Sequence, residues 1–183
     1  LIEGDKPQRG DIVVFRYPHD PKIHYVKRCV AVGDDILFLQ NKDLYLHPHE
    51  GNEYVKTHYK EHETIDINGT LFVKNPYKKD HPGIHHNPSV QNDGRQPQQL
   101  FNMGAIKVPK GEFFMMGDNR DHSNDSRFWG TVEYRYIVGK PWFVYFSWDE
   151  NKTIRWDRVF QTPQSLENSK YITSQIKHKE GIY

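Results

Sequence analysis

Lys27 is the residue whose surroundings in this 183-residue sequence best suit proton-transfer chemistry. It lies in residues 23–32, a segment rich in β-branched and aromatic residues, which predicts a strand. Side chains alternate between the two faces of a strand. The other residues on the face of Lys27 are apolar or small: Ile23, Tyr25, Cys29 and Ala31. A charged ammonium is costly to bury there, whereas a neutral lysine is a base. The alternative is an edge-strand lysine whose ammonium extends into water.

A second segment, residues 117–127, contains no aliphatic side chain but many aspartates, asparagines, arginines and serines. Such a composition is typical of a surface loop. The flanking residues 113–116 and 128–129 look like core, and a plain loop would rarely join two core segments. We therefore interpret the segment as paired carboxylates and guanidiniums that fix the side chains around a neutral lysine.

Three stretches of the chain together resemble type I signal peptidase, the membrane-bound serine/lysine protease that removes signal peptides. They are RGDIVVF at residues 9–15, YVKR at residues 25–28 and GDNRDHSNDSRFWG at residues 117–130. The last stretch matches the most specific sequence box of that family almost residue for residue. The sequence between the motifs carries no such match.

The resemblance implies a serine nucleophile and a lysine general base, with no metal or other cofactor. Lys27 takes the position of the base, and Ser123 that of a serine which hydrogen-bonds and orients the base. Gly117 matches a position at which a side chain would crowd the lysine. The matches to the supporting charged network are Arg28, Asp118, Asp125 and Arg127. Arg28 should point away from Lys27 on a regular strand, so we expect a structural role for it.

The strand that carries Lys27 also suggests where a substrate binds. Proteases commonly bind an extended peptide against a sheet edge, and residues 24–26 lie just before the lysine. In the family this region shapes shallow pockets for small side chains one and three residues before the cut. Tyr25 and Val26 are therefore the candidate substrate-binding residues.

The nucleophile is the main departure from the family pattern. The Ser-Met-x-Pro motif of the family precedes the strand at residues 9–15, and residues 1–8 contain no serine. We therefore expect the nucleophilic serine upstream of Leu1, together with part of the oxyanion hole and the membrane anchor. The chain by itself should then be inactive. A second hypothesis takes Ser123 as the nucleophile and Lys27 as its base.

The composition is typical of a globular domain rather than a strongly basic nucleic-acid-binding protein. The chain has 25 Lys and Arg against 24 Asp and Glu, a net charge of +1, so no nucleic-acid partner is expected. Its single cysteine, Cys29, excludes an internal disulfide. The 11 histidines lack a zinc-protease spacing. His58 and His62 could share a helical face, but two ligands do not make a site, and no metal is expected.

Runs of β-branched and aromatic residues between Gly, Pro, Asn and Asp predict a mostly β fold. The resemblance makes it a signal-peptidase-like, β-rich catalytic core with an inserted β and loop subdomain and a short C-terminal helix. The core is assigned to residues 1–40 and 106–160, the insertion to 41–105 and a partly helical tail to 161–183. Strands are expected at residues 12–17, 36–40, 71–74, 113–116 and 142–148, and a helix at 164–177.

The resemblance predicts a serine endopeptidase that removes signal peptides from exported preproteins at Ala-x-Ala-like sites. Its expected place is the bacterial cytoplasmic membrane, with the catalytic domain at the lipid surface on the periplasmic face. No stretch here reaches the about 20 apolar residues that span a bilayer. The aromatic run at 141–148 is either a buried strand or a rim at the lipid interface. The alternatives are a self-cleaving serine/lysine protease and a non-catalytic peptide-binding module of the same fold.

Overall fold

The computed structural model describes residues 6–141 together with Thr162 and Ser165. The described strands are β1 Ile12–Tyr17, β2 Asp20–Val32, β3 Ile36–Gln40, β4 Asp43–His47, β5 Thr64–Ile67, β6 Thr70–Lys74, β7 Met103–Lys107, β8 Glu112–Met116, β9 Val132–Glu133 and β10 Ile137–Gly139. The helices are α1 Asn52–His58 and α2 Ser126–Trp129, with 3-10 turns at Gln98–Leu100, Arg120–His122 and Tyr134–Tyr136. The predicted mostly β fold is confirmed. The strand predicted at 142–148 and the helix predicted at 164–177 lie outside the described residues.

The strands form two antiparallel sheets of five strands each. The first has the order β10-β1-β2-β8-β9, and the second the order β5-β6-β4-β3-β7. The second sheet spans residues 36–107. β3 therefore belongs to the second sheet, whereas the domain boundary expected from the sequence assigns residues 36–40 to the catalytic core.

The buried apolar side chains form two clusters, one within the first sheet and one that joins the two sheets. β1 alternates along its length, and its Val13 and Phe15 are fully buried against Cys29 and Met115. The larger cluster contains residues of both sheets, including Val30, Phe114 and Met116 from the first and Leu37 and Leu46 from the second. The face that each strand residue presents therefore decides which cluster it joins.

A β-bulge in β2 changes the face that the sequence predicts for part of this strand. The register with β8 shifts between Cys29 and Ala31, so an extra residue interrupts the alternation. Cys29 joins the first cluster, whereas Val30 and Ala31 both join the larger one. The expectation that Ala31 shares the face of Lys27 is wrong for this reason. Ile23, at the other end of that face, is 43% exposed.

Both hairpins of the second sheet close through a two-residue turn in which each residue has a positive φ. Between β5 and β6 the turn is Asn68-Gly69, with φ of 51° and 82°. Between β3 and β4 it is Asn41-Lys42, with φ of 50° and 71°. Asn-Gly is the favoured pair in turns of this kind because its residues tolerate positive φ, so Lys42 is the unusual residue.

Helical structure contributes little to the described part of the chain. α1 ends at His58, so His62 lies beyond the helix, and the expectation of a shared helical face for these two histidines is wrong. None of the described helices has the length and apolar character needed to cross a bilayer.

Candidate active site

Lys27 lies in β2, where its backbone pairs with Val13 of β1. Its side chain is partly buried, and its Nζ lies 5.5 Å from the centroid of the Tyr25 ring. Burial lowers the pKa of Lys27, Asp125 and Asp118 oppose this effect, and Arg127 adds to it. The net direction is downward, which increases the neutral, basic fraction of the amine.

Gly117 brings Ser123 and Lys27 close together. A Cβ at Gly117 would lie 2.7 Å from Ser123 Cβ, nearer still to Ser123 Oγ, and 3.4 Å from Lys27 Nζ. Cβ atoms essentially never approach other atoms as closely as these two distances to Ser123, so the site has room for hydrogen alone at this position. Ser123 is 8% exposed. Its Oγ makes no hydrogen bond to the described residues, so the bond to Lys27 that the resemblance implies is not formed here.

Asp125 organises the segment between Gly117 and α2. Its carboxylate accepts hydrogen bonds from Gly117 N at 3.0 Å, Arg127 Nε at 2.8 Å and Arg127 N at 3.2 Å, the last of which caps α2. The side chains of Asp125 and Arg127 are both fully buried. Arg127 also donates to Arg120 O at 2.5 Å. These bonds fix both ends of the loop that contains Ser123.

Arg28 supports the other side of the site. It donates from Nε and NH2 to the two oxygens of Asp118, each at 2.8 Å, and from NH1 to Gly10 O at 2.6 Å. Arg28 is 2% exposed. The two hydrogen bonds run in parallel between planar groups, an arrangement that fixes orientation as well as distance.

The site region contains three further charged residues to which the sequence motifs give no role. Arg120 and Asp121 lie in the 3-10 turn before Ser123 and are 3% and 7% exposed. Burial lowers the pKa of Arg120 to about 10. Lys42 comes from the second sheet, and its Nζ lies 3.0 Å from Asp121 Oδ1. The only signal for Lys42 in the sequence was its place after Asn41, where a tight turn favours glycine.

A second charged cluster joins β2 to the second sheet, and it is the one described group with the composition of a metal site. Ligand atoms of Asp35, His49 and Glu50 lie within 4.8 Å of one another. Arg9, however, donates to Asp35 at 2.7 Å and to Glu50 at 2.7 Å. The backbone N–H groups of Val32 and His49 also donate to Asp35. The guanidinium therefore already supplies the positive charge, and the cluster is an ion-pair network.

The strand edge beside Lys27 is open within the described residues. β8 pairs with β2 only from Arg28 onward, while residues 20–28 pair with β1 on the other side. Val26 is 56% exposed on this stretch. Tyr25 packs against Tyr17 and Trp129, with ring centroids 5.1 Å and 6.4 Å away. Among the described residues, no strand pairs with this edge of β2 before Arg28, so the edge could accept an extended peptide beside Lys27.

The fold and site define a mostly β protein in which a partly buried lysine is framed by carboxylate–guanidinium pairs. This lysine lies on a strand edge that is open among the described residues. The chain belongs to the signal peptidase family, peptidase S26, whose family model matches residues 2–148. Membership of this family makes the chain a peptidase, a class of hydrolase.

Two relatives in sequence agree with this assignment. The chain is 43% identical over 201 residues to a signal peptidase I of Helicobacter pylori strain J99, with 91% of this chain and 69% of that protein covered. It is 36% identical to a signal peptidase I of Pseudomonas fluorescens, with 83% of this chain and 54% of that protein covered. The chain is also similar to the crystal structure of a signal peptidase I from Enterococcus faecalis V583. The match covers 76% of this chain and 99% of that one, with a TM-score of 0.42 and 22% sequence identity.

Proposed function

We propose that this chain supplies the catalytic domain of an enzyme that removes signal peptides from exported preproteins, with Lys27 as the general base. The observation that carries the proposal is the place of Lys27 beside Gly117 and Ser123, next to an open strand edge. A lysine of ordinary pKa, about 10.4, is only about 0.4% neutral at pH 8. The lowered pKa of Lys27 raises that fraction.

The nucleophile in this proposal is a serine upstream of Leu1. Neutral Lys27 takes the proton from the serine hydroxyl as its oxygen attacks the scissile carbonyl carbon. The ammonium then gives that proton to the leaving amine, and the acyl group remains on the serine as an ester. Lys27 next takes a proton from the water that hydrolyses the ester and returns it to the serine oxygen. Ser123 lies beside Lys27 and restricts where its amine can point.

The substrate in this proposal binds as an extra strand at the open edge of β2. Backbone hydrogen bonds give such a peptide affinity, while shallow pockets select its alternate side chains. Tyr25 and Val26 form one wall of these pockets, which admit small residues one and three positions before the cut, as in Ala-x-Ala. The catalytic domain works at the lipid surface on the periplasmic side of the bacterial cytoplasmic membrane, where exported preproteins emerge.

Cleavage of a signal-peptide substrate with an Ala-x-Ala site tests the proposal. Two proteins are compared, residues 1–183 and a version extended upstream through a Ser-Met-x-Pro segment, each with and without Lys27→Ala. We expect cleavage by the extended protein alone, and its loss on Lys27→Ala. Lys56→Ala serves as the control, because Lys56 is an exposed lysine that pairs only with Glu53 among the described residues.

The other results point to different functions. Cleavage by residues 1–183 alone would place the nucleophile within these residues, with Ser123 as the first candidate. Cleavage that survives Lys27→Ala would remove Lys27 from the mechanism. A folded extended protein that binds the peptide without cleaving it would favour a peptide-binding module.

A further inference from the structure

Lys42 occupies a turn position that ordinarily selects glycine. It is the second residue of the Asn41-Lys42 turn, with a φ of 71°. The equivalent turn of the same sheet has Gly69 in this place. A residue with a Cβ is disfavoured at positive φ. Unfavourable backbone conformations of this kind persist where the side chain has a use, and the contacts of Lys42 show one.

The Lys42 ammonium reaches from the second sheet to the loop that leads to Ser123. Its Nζ lies 3.0 Å from Asp121 Oδ1 and donates to Val90 O at 2.5 Å. The same atom lies 5.2 Å from the centroid of the Phe101 ring, and the side chain is only 18% exposed. Lys42 therefore joins the β3–β4 turn to two other segments in a largely dry contact.

Asp121 depends on these partners. Its side chain is fully buried, and its Oδ2 accepts a hydrogen bond of 2.5 Å from Asn87 N. Burial alone would raise the pKa of Asp121, but Lys42 and the Asn87 amide hold it below the ordinary range. The carboxylate is therefore charged, and a buried charge that loses one partner strongly destabilises its surroundings.

The backbone held by Asp121 is the backbone that places Ser123. Only one residue separates them, and Ser123 Oγ makes no hydrogen bond of its own within the described residues. The position of Ser123 beside Lys27 therefore depends on how firmly the preceding 3-10 turn is held. Asp121 is anchored from the second sheet by Lys42 and from the loop at residue 87 by the Asn87 amide.

We infer that Lys42 is a positioning residue, which acts through Asp121 to hold the backbone that places Ser123 against Lys27. The second sheet then takes part in building the active site. This inference rests on the proposed function, in which Lys27 is the base and Ser123 its neighbour.

Lys42→Gly tests the contribution of the Lys42 side chain apart from that of the turn backbone. It creates an Asn-Gly turn like the one at residues 68–69, so the backbone is relaxed while the ammonium is lost. In the extended protein we expect kcat to fall by roughly tenfold to a hundredfold, as for other displacements of a catalytic group, with little change in KM. Lys42→Arg keeps a cation and should recover much of the loss. Lys56→Ala should change neither constant.

The pH profile provides a readout that simple destabilisation does not move. Lys27 faces Asp125, Asp118 and Arg127, and none of these is replaced in Lys42→Gly. If Ser123 moves relative to Lys27, the limb of the kcat/KM profile that reports Lys27 shifts along the pH axis. An unchanged kcat and an unshifted profile in folded Lys42→Gly would overturn the inference.

A structural measurement on residues 1–183 keeps this test independent of catalysis. By NMR, Lys42→Gly should move the Ser123 amide and the Lys27 side-chain amine resonances, whereas Lys56→Ala should leave both in place. If the extended wild-type protein failed to cleave, the proposed function would fail. The NMR shifts would then still test whether Lys42 positions Ser123, independently of cleavage. Unmoved resonances would exclude this role of Lys42.

Discussion

Arg28 and Asp118 lie side by side, joined by two parallel hydrogen bonds of 2.8 Å. Arg28 directly follows Lys27 in β2, and neighbouring residues on a strand point to opposite faces. The Arg28 guanidinium is therefore buried and paired with Asp118. The Lys27 amine has no carboxylate within ion-pair distance among the described residues. Because Asp118 directly follows Gly117, the Arg28 pair also anchors the position where Ser123 and Lys27 meet.

Asp118→Ala tests how much this pair stabilises the fold. The substitution removes two hydrogen bonds from Arg28, which is 2% exposed. We expect the free energy of unfolding to fall by about 3 kcal/mol, the lower end of the range for a broken buried pair, because the Asp118 side chain is 30% exposed. Denaturant unfolding measures the change.

Glu53→Ala is the matched control for Asp118→Ala. It breaks the Glu53–Lys56 pair on α1, in which both side chains are more than half exposed. Exposed pairs of this kind contribute about 0.5 kcal/mol or less. Equal losses in the two variants would show that the Arg28–Asp118 pair does not stabilise the fold more than an exposed pair does.

Gly117→Ala should damage both stability and activity. The new Cβ would lie 2.7 Å from Ser123 Cβ and 3.4 Å from Lys27 Nζ, so Ser123 must move. We expect a loss of about 1–3 kcal/mol in the free energy of unfolding, typical of overpacking, and a lower kcat in the extended protein. Unfolding curves and cleavage rates provide the two measurements.

Gly104→Ala shows whether the effect is specific to the crowded position. Gly104 lies in β7, and a Cβ there would meet nothing within 4 Å. Replacing glycine by alanine at an unstrained position stabilises by about 0.4–1 kcal/mol. The two variants should therefore change stability in opposite directions. A tolerated alanine at 117 would contradict the close packing of this glycine against Ser123.

Local patterns in the sequence predict most strands but not the contacts between distant segments. The run of β-branched and aromatic residues at 12–17 predicts the bounds of β1, and the structure confirms them. The bulge at Cys29–Ala31 leaves no such pattern, because it depends on how β8 pairs with β2. The alternating prediction for that part of β2 therefore fails.

The charged residues of the site are likewise predictable only in part from local sequence. The composition of residues 117–127 indicates a paired network, but not which carboxylate meets which guanidinium. Arg28 and Asp118 are 90 residues apart in sequence, and Lys42 reaches Asp121 from the other sheet. Such pairings follow from the packing of the two sheets, which no local pattern encodes.

Val26→Asp tests substrate binding at the open edge of β2. Val26 is 56% exposed, so the substitution should change the free energy of unfolding by no more than about 0.5 kcal/mol. A charge there would face the apolar part of a bound signal peptide. In the extended protein, we expect kcat/KM for the Ala-x-Ala substrate to fall roughly tenfold or more, as for other changes in an apolar pocket.

Ile67→Asp provides the comparison for Val26→Asp. Ile67 is 42% exposed and lies in β5, at the edge of the second sheet. Ile67→Asp introduces the same charge at a similarly exposed apolar position away from Lys27, so kcat/KM for the Ala-x-Ala substrate should be unchanged. Similar losses in both variants would argue against a binding site at β2.

Lys27→Met should abolish cleavage yet increase stability at neutral pH. Burial lowers the pKa of Lys27 and outweighs the attraction of Asp125 and Asp118, so the charged lysine destabilises the folded state. Methionine has a similar shape and carries no charge. At pH 7 we expect a higher free energy of unfolding for Lys27→Met than for the wild-type chain, measured by denaturant unfolding.

The pH dependence of this difference identifies its cause. Below the folded pKa of Lys27, both states of the wild-type chain bind the proton, and the cost of the buried charge is fully present. Between that value and the unfolded pKa, about 10.4, the unfolded state binds more protons than the folded state. Wild-type stability therefore rises with pH relative to Lys27→Met, and the advantage of the variant should shrink. Lys56→Met, at an exposed site, should show no such trend. An advantage of Lys27→Met that stayed constant up to pH 10 would mean that the Lys27 charge is not its source.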